Sequence, residues 1–400
     1  MMIEKKHWIF ILFLTIFLGI SGCTPTSSDT GFFRRLEISG NVKDSNLPKD
    51  NTTYYSGVHL YKNHYFTTNG TLYYRKTNET NWKAVLSSSI DPPQKRASSL
   101  YSTSDFLYVS IIEESSSFES HLASISYSAG SPSLNYLTNT PLEGQILLIL
   151  LATEGVIYYL KSVNSQDQPS YGIFSWSLGE EEEILTTNRI RKSLVIDQNR
   201  LFLLADSTIY ILDTRNQDAP ATELTFTLEN STPPRNYIDA VGFTTGDTRE
   251  IILIANNCNN FDTCTDDTQF LKFEFETDAI QNNGQAVVIN LGAADERFVA
   301  LEHFIYSNNS QYLLAIKKSA RTEDSLATFF PFTNTFESLD NLFSDEEDRP
   351  FKFRSAPITS VKALNAPDLV FFLVTRNSGL WKFEIETLTD NSVSLQLEVE

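Results

Sequence analysis

The chain has 400 residues, with 31 Lys and Arg against 50 Asp and Glu, and a formal net charge of −19 at neutral pH. This acidic balance argues against a nucleic-acid partner and against electrostatic binding to anionic lipid. The 28 Phe and 17 Tyr, beside only 2 Met, favour strands over helices. The length is sufficient for one large β domain or two ordinary ones.

The chain begins with a leader, residues 1–22. Lys5 and Lys6 precede an apolar run from Trp8 to Ile20. This run is shorter than the ~20 apolar residues that cross a bilayer. Small and then polar residues follow it, which is typical of a cleaved signal peptide and not of a permanent anchor. We therefore predict that residues 1–22 are a signal peptide.

The end of the leader, Ile20-Ser21-Gly22-Cys23, resembles the lipobox of bacterial lipoproteins. In that family the cysteine receives a diacylglycerol, the leader is cut before it, and the new amino group is acylated. The resemblance implies a lipidated Cys23 as a permanent membrane anchor, because each buried CH₂ contributes about 0.8 kcal/mol. Thr24 is not the aspartate that retains such proteins at the inner membrane, so the resemblance implies the outer membrane. An ordinary secretory signal with a chance cysteine is the alternative.

Residues 23–53 are predicted to be the lipidated cysteine and a polar tether. Within this segment, Phe32 to Ser39 alternates well enough to form one strand, and the residues from Gly40 to Thr53 are polar and rich in turn formers. The main domain is therefore predicted to cover residues 54–400.

The main domain repeats one pattern, a short apolar strand followed by a turn and a strand rich in aromatics. The clearest pair is LKFEFET (residues 271–277) against WKFEIET (residues 381–387). Seven repeats of this strand pair occur at an irregular spacing of about 50 residues, which is within the range of propeller blades. The apolar strands are His64–Phe66, Phe106–Ile112, Val156–Leu160, Leu201–Leu204, Ile251–Ala255, Tyr312–Ile316 and Leu369–Val374. The following strands are Leu72–Tyr74, Leu122–Tyr127, Ile173–Trp176, Ile209–Leu212, Phe270–Phe275, Ala327–Phe330 and Leu380–Ile385.

The two members of each pair differ in periodicity. In the second member every other side chain is apolar, which indicates a half-buried strand. The first member is apolar throughout, which indicates a strand buried on both faces between neighbouring sheets. No part of the main domain keeps a helical 3.6-residue period, so the fold class is predicted to be all-β.

This arrangement resembles a seven-bladed β-propeller in which each blade is a four-stranded antiparallel sheet. Radial repetition protects the sheet edges, which is how such folds limit edge pairing. The last blade has four strands of its own, ending in Ser392–Val399, and how the ring closes is left open. Tandem β-sandwiches are the alternative fold.

Cys258 and Cys264 are the only cysteines besides Cys23. They are predicted to lie in a polar loop between the innermost and the next strand of the fifth blade. One close pair in an exported protein favours a disulfide, which would stabilise the fold by about 2 kcal/mol. No further zinc ligands lie close in sequence, and the neighbouring Asp262, Asp266 and Asp267 lack the spacing of a calcium loop.

No catalytic set, metal site or cofactor motif is predicted. Glu180–Glu183 and Asp345–Asp348 are interpreted as solvated acidic runs in connections. A glycosidase needs two carboxylates at a fixed separation, and the sequence alone selects no such pair.

The function predicted first is that of a non-enzymatic envelope scaffold, anchored in the membrane through Cys23, that binds another envelope protein or a glycan. The layout resembles that of lipid-anchored propellers that assist outer-membrane assembly. The alternative is a polysaccharide hydrolase or lyase with its site in the central funnel. The long loops Asn256–Thr268 and Ser338–Arg349 are predicted to make the contacts, since recognition residues commonly lie on loops of a rigid scaffold.

Overall fold

The computed structural model describes residues 47, 55–86, 94–114, 119–128, 130–153, 155–164, 169–187, 189–215, 221–226, 234, 236–256, 268–276, 287–294, 298–306, 310–318, 325–331, 351–353, 358–365, 368–375, 379–389 and 392–399. The chain divides into two compact units, Met1–Asp44 and Ser45–Glu400. All described residues belong to the second unit. Its regular elements in the described ranges are β-strands throughout, so the all-β prediction is confirmed.

The described strands form seven antiparallel sheets, here called blades 1 to 7 in chain order. Blades 1 to 4 comprise β1 (His59–Tyr61), β2 (His64–Thr68), β3 (Leu72–Lys76) and β4 (Lys83–Leu86); β5 (Gln94–Ser102), β6 (Leu107–Glu114), β7 (Glu119–Ser128), β8 (Ser131–Tyr136) and β9 (Leu142–Glu143); β10 (Gln145–Thr153), β11 (Val156–Asn164), β12 (Pro169–Ser177) and β13 (Glu180–Thr187); and β14 (Ile190–Val195), β15 (Arg200–Ala205), β16 (Ile209–Asp213) and β17 (Ala221–Glu223). Blades 5 to 7 comprise β18 (Asn236–Thr245), β19 (Thr248–Asn256), β20 (Thr268–Glu276) and β21 (Val287–Ala294); β22 (Phe298–Tyr306), β23 (Ser310–Lys318), β24 (Ser325–Pro331) and β25 (Phe351–Phe353); and β26 (Ile358–Asn365), β27 (Leu369–Thr375), β28 (Gly379–Thr389) and β29 (Ser392–Val399).

Six of these sheets have the predicted four strands in sequential order, and blade 2 has a fifth strand because β9 pairs with β7. The repeat predicted from the sequence overlaps the second and third strands of every blade. The predicted position of the cysteine loop implies that the apolar strand of blade 5 is the innermost one, and this is wrong, because it is the second strand. A further strand precedes the apolar strand in each blade. In blades 5 and 6 a charged residue, Asp239 or Glu302, interrupts the apolar pattern of this first strand.

Seven clusters of buried side chains hold successive blades together. The second strand of blade 5, β19, explains the all-apolar pattern. Its Ile251 and Leu253 share a cluster with blade 4, whereas Ile252 and Ile254 share one with blade 6. Because alternate side chains point to opposite faces of a strand, a sheet between two others has to be apolar on both faces.

The ring closes by packing blade 7 against blade 1. The rings of Phe372 on β27 and Tyr65 on β2 lie 5.0 Å apart, and Val374 and Trp82 belong to the same buried cluster. Leu47, which is predicted from the sequence to belong to the tether, is also buried there. Since the last sheet packs on the first, the propeller is confirmed and the tandem-sandwich alternative is wrong.

The two faces of the ring carry different turns. Here the upper face is the one formed by the turns that join first to second strands and third to fourth strands, and the lower face carries the other connections. Contacts between neighbouring blades show that their upper ends lie on the same side of the ring. For example, the Tyr61 hydroxyl at the upper end of blade 1 donates to the Asp105 carbonyl in the upper turn of blade 2, 2.6 Å away.

The acidic run Glu180–Glu183 does not lie in a connection, as predicted, but in β13, the outermost strand of blade 3. All four glutamates are solvent-exposed, as predicted. Glu181 accepts a hydrogen bond from the Tyr159 hydroxyl and pairs with Lys161 Nζ at 2.6 Å. Burial and the neighbouring Glu181 carboxylate raise the pKa of Tyr159. An outer strand tolerates such a run because one of its faces remains in water.

Candidate functional site

The first strands of the blades border the axis of the ring, because neighbouring first strands contact one another. These contacts join β5 to β10, β14 to β18, β18 to β22 and β22 to β26. Six of the seven first strands also have a register shift in their pairing with the second strand. A bulge re-aims side chains locally, and polar side chains close to these shifts connect the blades.

Asp239 on β18 joins three blades. One of its carboxylate oxygens lies 2.6 Å from Lys192 Nζ on β14 of blade 4. The other accepts a hydrogen bond of 2.7 Å from the backbone N–H of Leu301 on β22 of blade 6. The carboxylate is therefore held by a charged donor on one side and a backbone donor on the other.

Glu302 on β22 repeats this arrangement one blade further on. Its buried carboxylate accepts a 3.0 Å hydrogen bond from the backbone N–H of Ala363 on β26. The same oxygen lies 3.1 Å from Lys362 Nζ. Both carboxylates thus tie a first strand to the first strand of the next blade, and each is charge-paired.

His59 on β1 adds a titratable group beside Lys362. Burial among the inner strands, and secondarily the positive charge of Lys362, lower the pKa of His59 to about 4. Its Nδ1 lies 3.4 Å from the Ser102 hydroxyl at the end of β5. At neutral pH this histidine is uncharged.

Serine hydroxyls continue the polar ties around the axis. Ser98 donates to the carbonyl of Ile146 at 2.8 Å, and Ser99 accepts from the N–H of Ile149 at 3.0 Å. The axis is thus lined by polar groups that bind one another. Because the two carboxylates described here are occupied by lysines and backbone donors, their geometry fits the joining of blades better than acid–base chemistry.

A cavity of about 600 Å³ opens at the upper face, between blades 7 and 1. Its walls are the upper ends of β2, β3, β27 and β28 with their turns. The residues that line it are Lys62, Asn63, His64, Tyr65, Lys76, Thr77, Asn78, Asp368, Val370, Lys382 and Glu384. Lysines and amides are prominent in this lining, although the whole chain is strongly acidic.

The upper face also carries most of the exposed apolar side chains. Of the five large apolar residues exposed in the described part of the chain, four lie in or beside upper turns: Phe106, Leu178, Val195 and Ile305. The fifth, Tyr136, ends β8 at the lower face.

Leu178 is the most exposed of these residues, at 98%. It forms the two-residue turn between β12 and β13 with Gly179, and its φ is 52°. Left-handed backbone is unusual for a bulky side chain without a local hydrogen-bonding group. Asn and Gly are the residues that normally suit the first position of such a turn. Neither burial nor turn geometry therefore explains a leucine here.

The predicted site residues Cys23, Cys258 and Cys264 lie outside the described residues, as do residues 257–267 and 338–349 of the two predicted contact loops. The described strand ends correct one detail: the loop with the two cysteines joins the second and third strands of blade 5, β19 and β20. It therefore leaves from the lower face, whereas the loop between β24 and β25 leaves from the upper face.

Sequence reasoning did not find the axial residues Lys192, Asp239, Glu302, Lys362 and His59. For Asp239, Glu302 and Lys362 the available signal was a single Asp, Glu or Lys within an otherwise largely apolar first strand. In the described ranges, no group of three or more His, Cys, Asp or Glu side chains comes together as a metal site. No helix of the described residues has the length and apolar character needed to cross a membrane.

No protein-family model and no curated protein matches this chain. Among solved structures, it is similar to the extracellular domain of a hybrid two-component system from B. thetaiotaomicron, with a TM-score of 0.50 and 10% identity over 87% of this chain and 40% of that one. It also matches Trypanosoma rangeli sialidase, with a TM-score of 0.39 and 12% identity over 72% of this chain and 56% of that one. The chain thus spans less than half of the Bacteroides domain, and this likeness concerns the β-propeller fold alone.

Proposed function

We propose that this protein is an envelope lipoprotein, anchored in the outer membrane through Cys23, whose propeller is a non-enzymatic scaffold that binds another envelope protein. The observation that carries the proposal is the asymmetry of the two faces. Four of the five exposed large apolar side chains in the described residues lie at the upper face. Exposed apolar side chains gathered on one face favour a protein partner.

The strained turn of Leu178 supports the same face. A residue that is held in a sparsely populated backbone region, and that no contact among the described residues explains, is a reasonable sign of function. A leucine that is 98% exposed at the tip of a turn can enter a pocket on a partner without rearrangement of the scaffold.

The charge of the chain supports a partner with a basic surface. A net charge of −19 accelerates association with a positively charged protein, and salt screens this effect. Capture of the partner is therefore expected to be faster at low ionic strength.

The test is site-specific photocrosslinking in intact cells. A photoreactive phenylalanine analogue replaces Phe106 or Leu178 at the upper face, and Tyr136 at the lower face provides the matched control. We expect one defined crosslinked protein from both upper positions and none from position 136. Equal crosslinking from both faces, or none from the upper face, would contradict the assignment.

Attachment is tested separately through Cys23. The Cys23→Ala variant is expected to remain as uncleaved precursor or to leave the membrane fraction, because its acylation site is lost. Incorporation of radiolabelled palmitate measures this directly, with the Cys258→Ala variant as the control that keeps its label. A wild-type chain that takes up no palmitate would mean that the lipobox interpretation is wrong.

A further inference from the structure

Two tyrosine rings at the upper ends of blades 1 and 2 hold the ammonium group of a lysine from the same chain. Lys62 lies in the turn between β1 and β2, and its Nζ is 5.1 Å from the centroid of the Tyr61 ring and 5.5 Å from that of the Tyr127 ring. The two centroids are 6.0 Å apart. A cation within about 6 Å of a ring centroid is attracted by the negative face of the ring. The upper face thus contains a site whose geometry suits a cation.

Contacts other than those with the Lys62 ammonium position both rings. The Tyr61 hydroxyl donates to the Asp105 carbonyl at 2.6 Å. The Tyr127 hydroxyl lies 3.4 Å from the Tyr61 carbonyl and 3.2 Å from Nδ1 of the buried His64. Tyr61 also belongs to the buried cluster that joins blades 1 and 2. The rings therefore form a site that another cation can enter when the lysine side chain leaves.

Lys62 is a replaceable occupant of this site. The residue is exposed, and no carboxylate of the described residues forms an ion pair with it. Ordering a long lysine side chain over the rings costs conformational entropy. Lys62 and Asn63 form a two-residue turn in which the φ of Lys62 is 46°, and asparagine suits this position better than lysine. The turn therefore does not need a lysine, and its exchange for a cation from outside costs only the two ring contacts.

The charge of the neighbouring turns favours such a cation. In the described ranges, the turns between first and second strands carry the exposed carboxylates of Asp105, Asp247 and Asp368. In the amino-acid sequence of these seven turns, Lys62 is the only Lys or Arg. Phe106, which follows Asp105, is half-exposed and offers an apolar contact. These turns therefore complement a segment that combines positive charge with an apolar side chain.

We propose that the Tyr61 and Tyr127 rings are the pocket for an arginine side chain of the protein partner, which displaces Lys62. A guanidinium stacks on aromatic faces and is more weakly hydrated than an ammonium, so it is the stronger ligand for such rings. An apolar side chain next to this arginine would contact Phe106. The inference rests on the protein-binding function proposed above, and it names the chemistry by which the partner is recognised.

The test is saturation-transfer NMR of the full chain, purified in detergent and kept at one ionic strength. The probes are acetyl-arginine amide and acetyl-citrulline amide, in which an uncharged urea group replaces the guanidinium. We expect the arginine probe to bind about threefold or more tightly than the citrulline probe. The Lys62→Asn variant vacates the rings and keeps the turn, so it should bind the arginine probe about threefold more tightly than wild type.

Variants of Tyr127 test the ring itself. Tyr127→Leu should lose the preference for arginine over citrulline, whereas Tyr127→Phe keeps the ring and should retain it. Tyr136→Leu is the matched control, because it removes a tyrosine of the lower face whose ring lies 5.6 Å from Lys95 Nζ. It should leave the preference unchanged. An equal loss in Tyr136→Leu, or an unchanged preference in Tyr127→Leu, would overturn the proposal.

The Lys76→Gln variant controls for net charge. It removes one positive charge from the same face, where Lys76 pairs with Glu79, and its gain in arginine binding should be smaller than that of Lys62→Asn. Equal gains, equal binding of the two probes, or no binding to either wild type or Lys62→Asn would overturn the proposal. If Tyr127→Leu does not fold, as judged by circular dichroism, the comparison of Lys62→Asn with Lys76→Gln decides.

The probe titration and the photocrosslinking fail independently. A crosslinked protein from Phe106 and Leu178, without an arginine preference at the rings, would support the protein-binding function and overturn the arginine pocket. An arginine preference without a crosslinked protein would support the pocket and contradict the proposed partner.

Discussion

At the scale of single residues, Leu178 shows a conflict between local stability and surface chemistry. Its side chain lies in water and its backbone has a φ of 52°. A left-handed conformation costs an L-residue with a Cβ about 1–2 kcal/mol, whereas asparagine offsets part of this by local hydrogen bonding. The turn would therefore be more stable with another residue.

The Leu178→Asn variant is predicted to be more stable than wild type by about 0.5–1 kcal/mol. The Leu178→Ala variant should show no such gain, since alanine is strained at the same φ. Urea denaturation measures both. A loss of stability in Leu178→Asn would contradict the strain argument, and retention of crosslinking from Phe106 in both variants would argue against a role of Leu178 in binding.

His59 gives a second prediction at this scale, on pH dependence. Its pKa is about 4 in the folded chain, against 6.5 for an unperturbed histidine. Between these values the unfolded chain binds the proton and the folded chain does not, so stability decreases as the pH falls. Each pH unit in this window costs about 1.4 kcal/mol, and above pH ~6.5 the effect is absent.

The measurement compares wild type with His59→Asn by urea denaturation from pH 7.5 to 4. Asparagine does not titrate, and it can keep a hydrogen bond to Ser102. The stability of wild type should therefore fall relative to the variant below pH ~6.5. A constant difference across the range would mean that His59 has an ordinary pKa.

At the scale of elements, the first strands differ from the others because they meet at the axis. A second strand is buried between two sheets and needs only apolar side chains, as β19 does. A first strand lies at the axial edge of its blade, so the backbone groups on that edge have no neighbouring strand of the same sheet. They need hydrogen-bond partners from other blades. Carboxylates on neighbouring strands provide them for Leu301 and Ala363.

The Asp239→Ala variant is predicted to lose about 2–4 kcal/mol of stability, because the Leu301 N–H and the Lys192 ammonium both lose their acceptor. The Asp239→Asn variant should lose less, since an amide oxygen still accepts from Leu301. Asp213→Ala, which breaks the exposed pair with Arg215, should lose less than about 1 kcal/mol. Equal losses in all three variants would contradict the joining role of Asp239.

At the scale of the whole molecule, the sequence predicts the repeat and the all-β class because each second strand has to be apolar on both faces. The run Ile251–Ala255 carries this information locally. The first strands and the cavity were not predictable in this way. The pairing of Asp239 with Lys192, and the meeting of Val370 with the turns of blade 1, depend on which blades become neighbours. Ring closure decides that, and no local pattern encodes it.

Closure of the ring gives the last prediction, which compares two adjacent phenylalanines of β27. Phe371 faces blade 6, where its ring lies 4.8 Å from that of Phe304, and Phe372 faces blade 1, where its ring lies 5.0 Å from that of Tyr65. Both side chains are fully buried. If blades 7 and 1 pack as tightly as the other neighbouring blades, Phe371→Ala and Phe372→Ala should each lower the free energy of unfolding by about 3–5 kcal/mol.

Calorimetry and urea denaturation of the full chain decide between a closed and an open ring. A closed ring should unfold in one transition in both variants, because every blade is held on two sides. A loss below about 1 kcal/mol in Phe372→Ala, beside a full loss in Phe371→Ala, would mean that blades 7 and 1 separate in solution. In that case the cavity at the upper face, which both blades line, would open with them.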